Sequence, residues 1–177
     1  LTPSGVLASA FVPDYPAQLA DSSFGRPMSA DAAFLIEVGT PARYFAPTSS
    51  EIDEVWMQPG FDDSTWRSGP LGFGFDVRAE PQFTPFIQTD VADVMQGTTA
   101  SLYVRASFEA PGAAEPRRYR LRLRYDDGIV VWLNGEEILR RNFFGQPRFS
   151  GRARLTQDGA TGTFEDVLLG DAASLLV

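Results

Sequence analysis

The chain is expected to be all-β, on three observations. Sixteen Gly and thirteen Pro are spread along 177 residues, which suits short strands joined by turns and disfavours long helices. Residues 118–125 alternate strictly, with Tyr119, Leu121, Leu123 and Tyr125 on one face and Arg118, Arg120, Arg122 and Arg124 on the other. Asn134-Gly135 follows the apolar run Ile129–Leu133 and marks a hairpin, because a type I′ turn needs positive φ at both central residues.

These features make 117–141 a three-strand unit. Asp126-Asp127-Gly128 breaks the alternating strand, and the continuous apolar run after it is expected to be covered on both faces. A two-residue loop sets the register, so Leu133 should face Glu136, Trp132 Glu137, Val131 Ile138 and Val130 Leu139.

The remaining elements are taken from the N-terminus. Residues 1–25 carry three Pro and read as part of an extended arm over residues 1–30, either docked through Val12, Tyr15 and Leu19 or ordered only as a linker. Ala32–Val38 and Arg43–Phe45 are expected strands, and Pro47–Glu54 a polar loop. In 56–75, Pro59-Gly60 marks a turn, and Asp62 or Asp63 can cap a short helical turn through Thr65-Trp66. Gly69, Gly72 and Gly74 alternate with bulky residues, which fits close backbone approach or a bulge rather than a phosphate loop. Thr89–Met95 is the best helix, with Asp90 as its cap. Ser101–Glu109 should be a strand with Leu102, Val104, Ala106 and Phe108 on one face. Pro111–Pro116 and Asn142–Phe149 read as loops, the second aromatic. Ala153–Leu155 reads as a strand fragment, Gln157–Gly162 as a turn, Thr163–Leu169 as a final strand and Ala172–Val177 as a docked apolar end.

Composition excludes several functions. A formal charge of −8 argues against nucleic acid as the main partner. All fifteen basic residues are Arg, which a GC-rich coding sequence explains in preference to selection for guanidinium chemistry. Without Cys there is neither a disulfide framework nor a thiolate metal site, and without His there is no imidazole catalysis or His-ligated zinc. No run of about 18 apolar residues suits a bilayer span, so membrane insertion is not expected. Beginning at Leu1, the chain is expected to be excised from a longer protein with its targeting signal upstream.

One ordered set of motifs resembles a known family. Phe61-Asp62-Asp63-Ser64-x-Trp66, Gly72-Phe73-Gly74, Ile87-x-Thr89-Asp90-Val91, Leu102-Tyr103-Val104-Arg105-x-x-Phe108, Tyr125-Asp126-Asp127-Gly128 and Leu133-Asn134-Gly135-x-Glu137 together resemble the galactose-binding-domain-like jelly roll of large secreted bacterial proteins. Such domains often sit beside lamin-tail and spore-coat-type kinase modules. Pro13-x-Tyr15-Pro16-x-Gln18 and Asp21-x-Ser23-Phe24-Gly25 are similar to the tail of a lamin-tail domain, and the FDDSxW and VWLNG pieces to sugar-binding domains of glycoside hydrolases. The resemblance spans about residues 40–170. It implies a two-sheet antiparallel jelly-roll β-sandwich over 31–177 with one or two short helices, outside the cell or on its surface. Members usually continue into a Gly-Asn-x-Leu-Ala-Ile closing strand, which does not follow Leu175-Leu176 here.

Carbohydrate binding is the functional expectation. Sugars stack an apolar CH face on an aromatic ring and bond their hydroxyls to planar polar groups, which Trp56, Trp132, Arg140, Asn142, Phe143 and Phe144 can supply from a common loop end. Trp66 and Trp132 have burial in the core as the alternative, and Trp66, Gly128, Asn134 and Gly135 are read as structural. Asp62, Asp63, Asp126 and Asp127 are candidate calcium ligands, with turn hydrogen bonding by the same carboxylates as the favoured alternative. Neither acidic pair forms a ready dyad, since adjacent strand residues point to opposite faces, so no catalytic residue is assigned. The Arg118/120/122/124 face is either a surface for protein or acidic glycan or a solvated face. The competing function is a structural spacer or adhesion module whose partners are neighbouring domains of the same polypeptide.

Overall fold

The computed structural model describes residues 34–110, 119–155 and 162–169. By its contacts the chain divides into two units, Leu1–Ala33 and Phe34–Val177, and the described residues belong to the second. The expectations for the N-terminal arm, the 111–116 loop, Gln157–Thr161 and Ala172–Val177 lie outside them.

The described residues are all-β with very little helix. The strands are β1 (Pro41–Phe45), β2 (Arg67–Pro70), β3 (Phe73–Gly74), β4 (Thr89–Asp90), β5 (Tyr103–Arg105), β6 (Arg120–Leu123), β7 (Ile129–Leu133), β8 (Glu136–Arg141) and β9 (Glu165–Leu168). One four-residue helix, α1 (Ala92–Met95), and a single 3₁₀ turn at Thr84–Phe86 complete the set. Four ladders form: β2-β1-β5, β3-β4, β6-β9 and β7-β8. All pair antiparallel except the two-residue β3-β4 contact, which is parallel where wholly antiparallel pairing was expected.

β1 shows how its sequence makes a strand. Ala42 and Tyr44 are buried while Pro41, Arg43 and Phe45 are exposed, the period-two pattern of a sheet with one covered face. Pro70 ends β2 on the sheet's edge, where a missing N–H costs no ladder bond. The glycines on either side of it allow the chain to pass close to residues 86–89. A Cβ on Gly69 would lie 2.5 Å from Thr89 Oγ1, and one on Gly72, whose φ is +117°, would lie 2.9 Å from the Phe86 carbonyl oxygen.

The hairpin forms as expected at its turn and differs beyond it. Asn134 and Gly135 have φ of 49° and 89°, the left-handed pair that a type I′ turn requires. Leu133 faces Glu136 and Trp132 faces Glu137, but Val131 then faces Leu139 and Val130 faces Arg140. Ile138 is the extra residue of a β-bulge, so Leu139 takes the buried place foreseen for its neighbour. Every residue of β7 is half-buried.

Other expectations are corrected. Phe34–Val38 is not a strand: Thr40 N–H donates to the Glu37 carbonyl and Glu37 N–H to Thr40 Oγ1, so a turn closes where pairing would begin. Thr89–Met95 is not one helix. Asp90 ends β4, its Oδ1 accepts the Ala92 N–H at 2.8 Å, and the fully buried Val91 intervenes before the single turn of α1. The Ser101–Glu109 strand shortens to three residues, and its buried ring is Tyr103, on the face opposite Leu102 and Val104. Ala153–Leu155 is not a strand, although Arg154 N–H donates to the Asn142 carbonyl.

Trp56, Trp66 and Tyr103 form an aromatic core, with Ile52, Met57, Phe61 and Trp132 packed against it. Trp56 stacks on Tyr103 with centroids 4.4 Å apart, and Trp132 of β7 meets Trp56 edge-on at 5.3 Å. Arg105 fastens this core from β5. Its guanidinium donates to Asp63 Oδ2 at 2.8 Å, to the Trp56 carbonyl, and to the Gln58 carbonyl at 3.1 Å.

Candidate functional site

The hairpin and the turn carrying Trp56 together wall a cleft of about 570 Å³, lined by Asp53, Glu54, Met57, Trp132, Gly135, Glu137, Arg140, Gly145, Gln146 and Pro147. β7 delivers Trp132, and the tight Asn-Gly turn brings Glu137 and Arg140 back beside it on β8. The rigid two-residue loop therefore sets one wall of the site. Gly135 approaches the opposite wall, since a Cβ there would lie 2.7 Å from Gln58 Oε1.

Asp53 lies deepest, at 5% exposure. Its Oδ1 accepts the Tyr103 hydroxyl at 2.6 Å and the Phe149 N–H at 3.0 Å, tying the cleft floor to the core and to the loop after β8. Oδ2 is buried and has no hydrogen-bond partner among the described residues. An unsatisfied buried polar atom costs about 1–3 kcal/mol. Burial, helped by the bond to Asp53, raises the Tyr103 hydroxyl above the usual tyrosine range, so it stays a donor.

Arg140 forms a two-pronged pair with Glu137, Nε to Oε1 at 2.7 Å and Nη2 to Oε2 at 2.5 Å, and also donates to the Gly145 carbonyl at 2.5 Å. The guanidinium bonds hold the Glu137 carboxyl below its ordinary range. This planar pair lies beside the half-buried Trp132 ring, the combination of ring face and polar plane that sugar recognition uses.

Of the six residues expected to bind ligand, the cleft gathers Trp132 and Arg140. Trp56 is 7% exposed and spends its face on Tyr103, so it supports Trp132 from behind instead of offering a platform. Asn142 is occupied structurally: its Nδ2 donates to the Asp127 carbonyl at 2.9 Å and to the Leu155 carbonyl, and its Oδ1 accepts the Leu155 N–H at 3.2 Å. With φ of 48°, it is the joint between the Asp126-Asp127 turn, the end of β8 and residues 153–155. Phe143 packs its ring against Gly151. Phe144 is 66% exposed outside the cleft lining, with the Arg154 guanidinium 4.8 Å from its ring centroid. Trp66 is buried, as its structural reading expects, and Gly128 packs against the Asn142 carbonyl and Ala153.

Three of the four candidate calcium ligands have turn or ion-pair roles. Asp62 Oδ1 accepts the Ser64 N–H, Asp63 is paired to Arg105, and Asp126 Oδ1 accepts the Asp127 N–H. No group of three or more Asp or Glu side chains converges among the described residues, whereas calcium takes six to eight oxygens. The Arg face is also divided. Arg122 pairs with Asp166 and lies over Phe164, and the Arg124 guanidinium lies between Phe86 and Phe164, 3.8 and 4.6 Å from their ring centroids. Among the described residues no helix is long and apolar enough to cross a membrane.

Sequence reasoning missed Asp53, Tyr103, Glu137 and Arg105 as organisers of this region. Asp53 sits in a polar stretch and carries no signal of burial. Tyr103, Arg105 and Glu137 stand within the quoted motifs, where apolar alternation gave them no weight. Compared with protein-family models, with curated proteins and with solved structures, the chain matches none.

Proposed function

We propose that the chain is a non-catalytic carbohydrate-binding module whose ligand lies in the cleft between Trp132 and Asp53. The observation that carries this reading is the placing of one half-buried indole beside a planar Arg140–Glu137 pair and further polar groups from the exposed Glu54 and Gln146. A sugar ring would stack its CH face on Trp132 and bond its hydroxyls to the pair. On this reading the four ladders are parts of one jelly-roll sandwich of the galactose-binding-domain-like kind, within a larger secreted bacterial protein. The order of the quoted motifs supports that assignment. The antiparallel ladders and the aromatic core agree with it.

A glycan array on the intact chain tests the proposal. Retention of a defined saccharide class that weakens at least several-fold on Gln146→Ala and Glu54→Ala supports it, both residues being exposed and outside the core. A blank array on protein with an intact near-ultraviolet circular dichroism spectrum would instead make the chain a spacer that meets neighbouring domains.

A further inference from the structure

We propose that the sheet face carrying Arg120, Arg122 and Arg124 binds acidic polysaccharide, with the Arg124 guanidinium as the seat for a uronate carboxylate. None of these residues lines the Trp132 cleft, so the inference adds a second site and does not rest on the first. Three observations lead to it.

The first is the way Arg124 is held. Its guanidinium lies between the rings of Phe86 and Phe164, 3.8 and 4.6 Å from their centroids. Stacking on aromatic faces takes up the plane of a guanidinium and leaves its N–H edge, the fork that matches a carboxylate. Here that edge is unspent. Arg124 makes no hydrogen bond or ion pair among the described residues, and none of its nitrogens is a buried atom without a partner, so the donors stand open to solvent. The rings order the fork before a ligand arrives, which cuts the side-chain entropy lost on binding.

The second is the charge of the face. Arg120 stands opposite Leu168 and Arg122 opposite Asp166, and the period of two puts these side chains on one side of the β6-β9 ladder. Asp166 is the one acid that β9 brings to that side, and Arg122 holds it at 3.0 Å. Glu165 points the other way, where it bonds Arg141 and the Tyr125 hydroxyl. The exposed Arg120 has no ion-pair partner among the described residues, so the face stays positive on a chain whose formal charge is −8.

The third is the ring beside the cations. Phe164 is 38% exposed, with the Arg122 and Arg124 guanidiniums 5.2 and 4.6 Å from its centroid. A partly open ring next to planar cations meets the CH face and the carboxylate of one acidic sugar together, whereas an acidic peptide would use the cations alone. The Arg residues recur at alternate strand positions, about 6–7 Å apart, which suits a polymer of repeating charge.

The test is calorimetric titration of the intact chain at neutral pH and about 0.15 M salt, where the field of distant charges is screened. The probes are an oligogalacturonate, its methyl-esterified counterpart, whose carboxylates are capped, and an oligoglutamate of the same charge. The oligogalacturonate should bind at least about tenfold more tightly than either of the others, the scale of a charge-assisted contact over a neutral one. Arg124→Lys keeps the charge and loses the fork, and should weaken binding at least about fivefold. Asp166→Asn frees Arg122 and should strengthen binding, a gain that misfolding cannot imitate. In the unaltered chain the Arg124 Nε–H resonance should shift saturably with the oligogalacturonate and stay in place with its methyl ester.

No binding of the oligogalacturonate would overturn the proposal, as would an unmoved Arg124 resonance. Full affinity in folded Arg124→Lys would reduce the effect to general attraction of anions, and oligoglutamate binding as tight as that of the sugar would make the face a site for acidic protein; either result also overturns it. The reading of the Trp132 cleft, which concerns other residues, would stand in each case.

Discussion

Replacing Arg105 with Met keeps the aliphatic stem and removes the guanidinium, and its cost follows from the three groups that lose a donor. The Gln58 carbonyl belongs to an exposed residue, so water replaces that bond at little cost. The Trp56 carbonyl belongs to a residue 7% exposed, and losing a charge-assisted bond there costs about 1.5–3 kcal/mol. Asp63 loses its ion pair, but the two side chains are 18% and 28% exposed, so screening limits this part to about 0.5–1 kcal/mol. The total is about 2–4 kcal/mol, a large share of the roughly 5–15 kcal/mol that holds a domain together. Urea denaturation followed by tryptophan fluorescence measures it, with an unchanged slope showing that only stability moved. Arg105→Lys should recover less than half, since an ammonium cannot reach both walls as the planar fork does. A cycle with Asp63→Asn should give a coupling of about 1 kcal/mol or less. A loss below about 0.5 kcal/mol for Arg105→Met would refute the role of Arg105 as the fastener of the core, since ordinary surface changes stay within that range.

Other expectations follow from the same geometry. Gly72→Ala would force a Cβ into the left-handed region and against the Phe86 carbonyl, and should cost about 1–3 kcal/mol in the same assay, where Gly60→Ala, with open space around it, should cost far less. Asp76, Glu137 and Glu165 are held below their ordinary range, foremost by hydrogen bonds from Arg78, Arg140 and Arg141 respectively. Between each folded and unfolded value the unfolded chain binds more protons, so their stabilisation is complete above the ordinary carboxylate range and is lost as pH falls through it toward the folded values. The urea midpoint should therefore be flat from neutral pH to about 5 and decline below about 4; a midpoint constant down to about pH 2 would contradict these assignments. Calcium and chelator should leave the melting temperature unchanged, because Asp62, Asp63 and Asp126 are committed to turns and to Arg105; a rise with calcium would show that the ion binds the folded chain.

The sequence disclosed turns and the hairpin better than faces and registers. Asn134-Gly135 was legible because few dipeptides tolerate two successive left-handed residues. The bulge at Ile138 was not, because Ile138 and Leu139 are both apolar and either could cover the core. The same degeneracy reversed β5, where four apolar residues marked one face while the stack of Trp56 on Tyr103, and the Asp53 bond to its hydroxyl, selected the other. Phe34–Val38 was apolar but has no strand partner among the described residues, and composition cannot supply one. For the site, Trp132 and Arg140 were legible as a ring and a planar donor on the hairpin. Asp53 was not, since only tertiary packing buries an aspartate that looks like any other loop carboxylate.

The most direct test of the central claim is the indole N–H resonance of Trp132 during titration with whichever saccharide the intact chain retains. A saturable shift of that signal, with the Trp66 signal unmoved in the core, is the predicted result. A retained saccharide that leaves the Trp132 resonance in place would mean that the ligand binds elsewhere, and the cleft would lose its assignment.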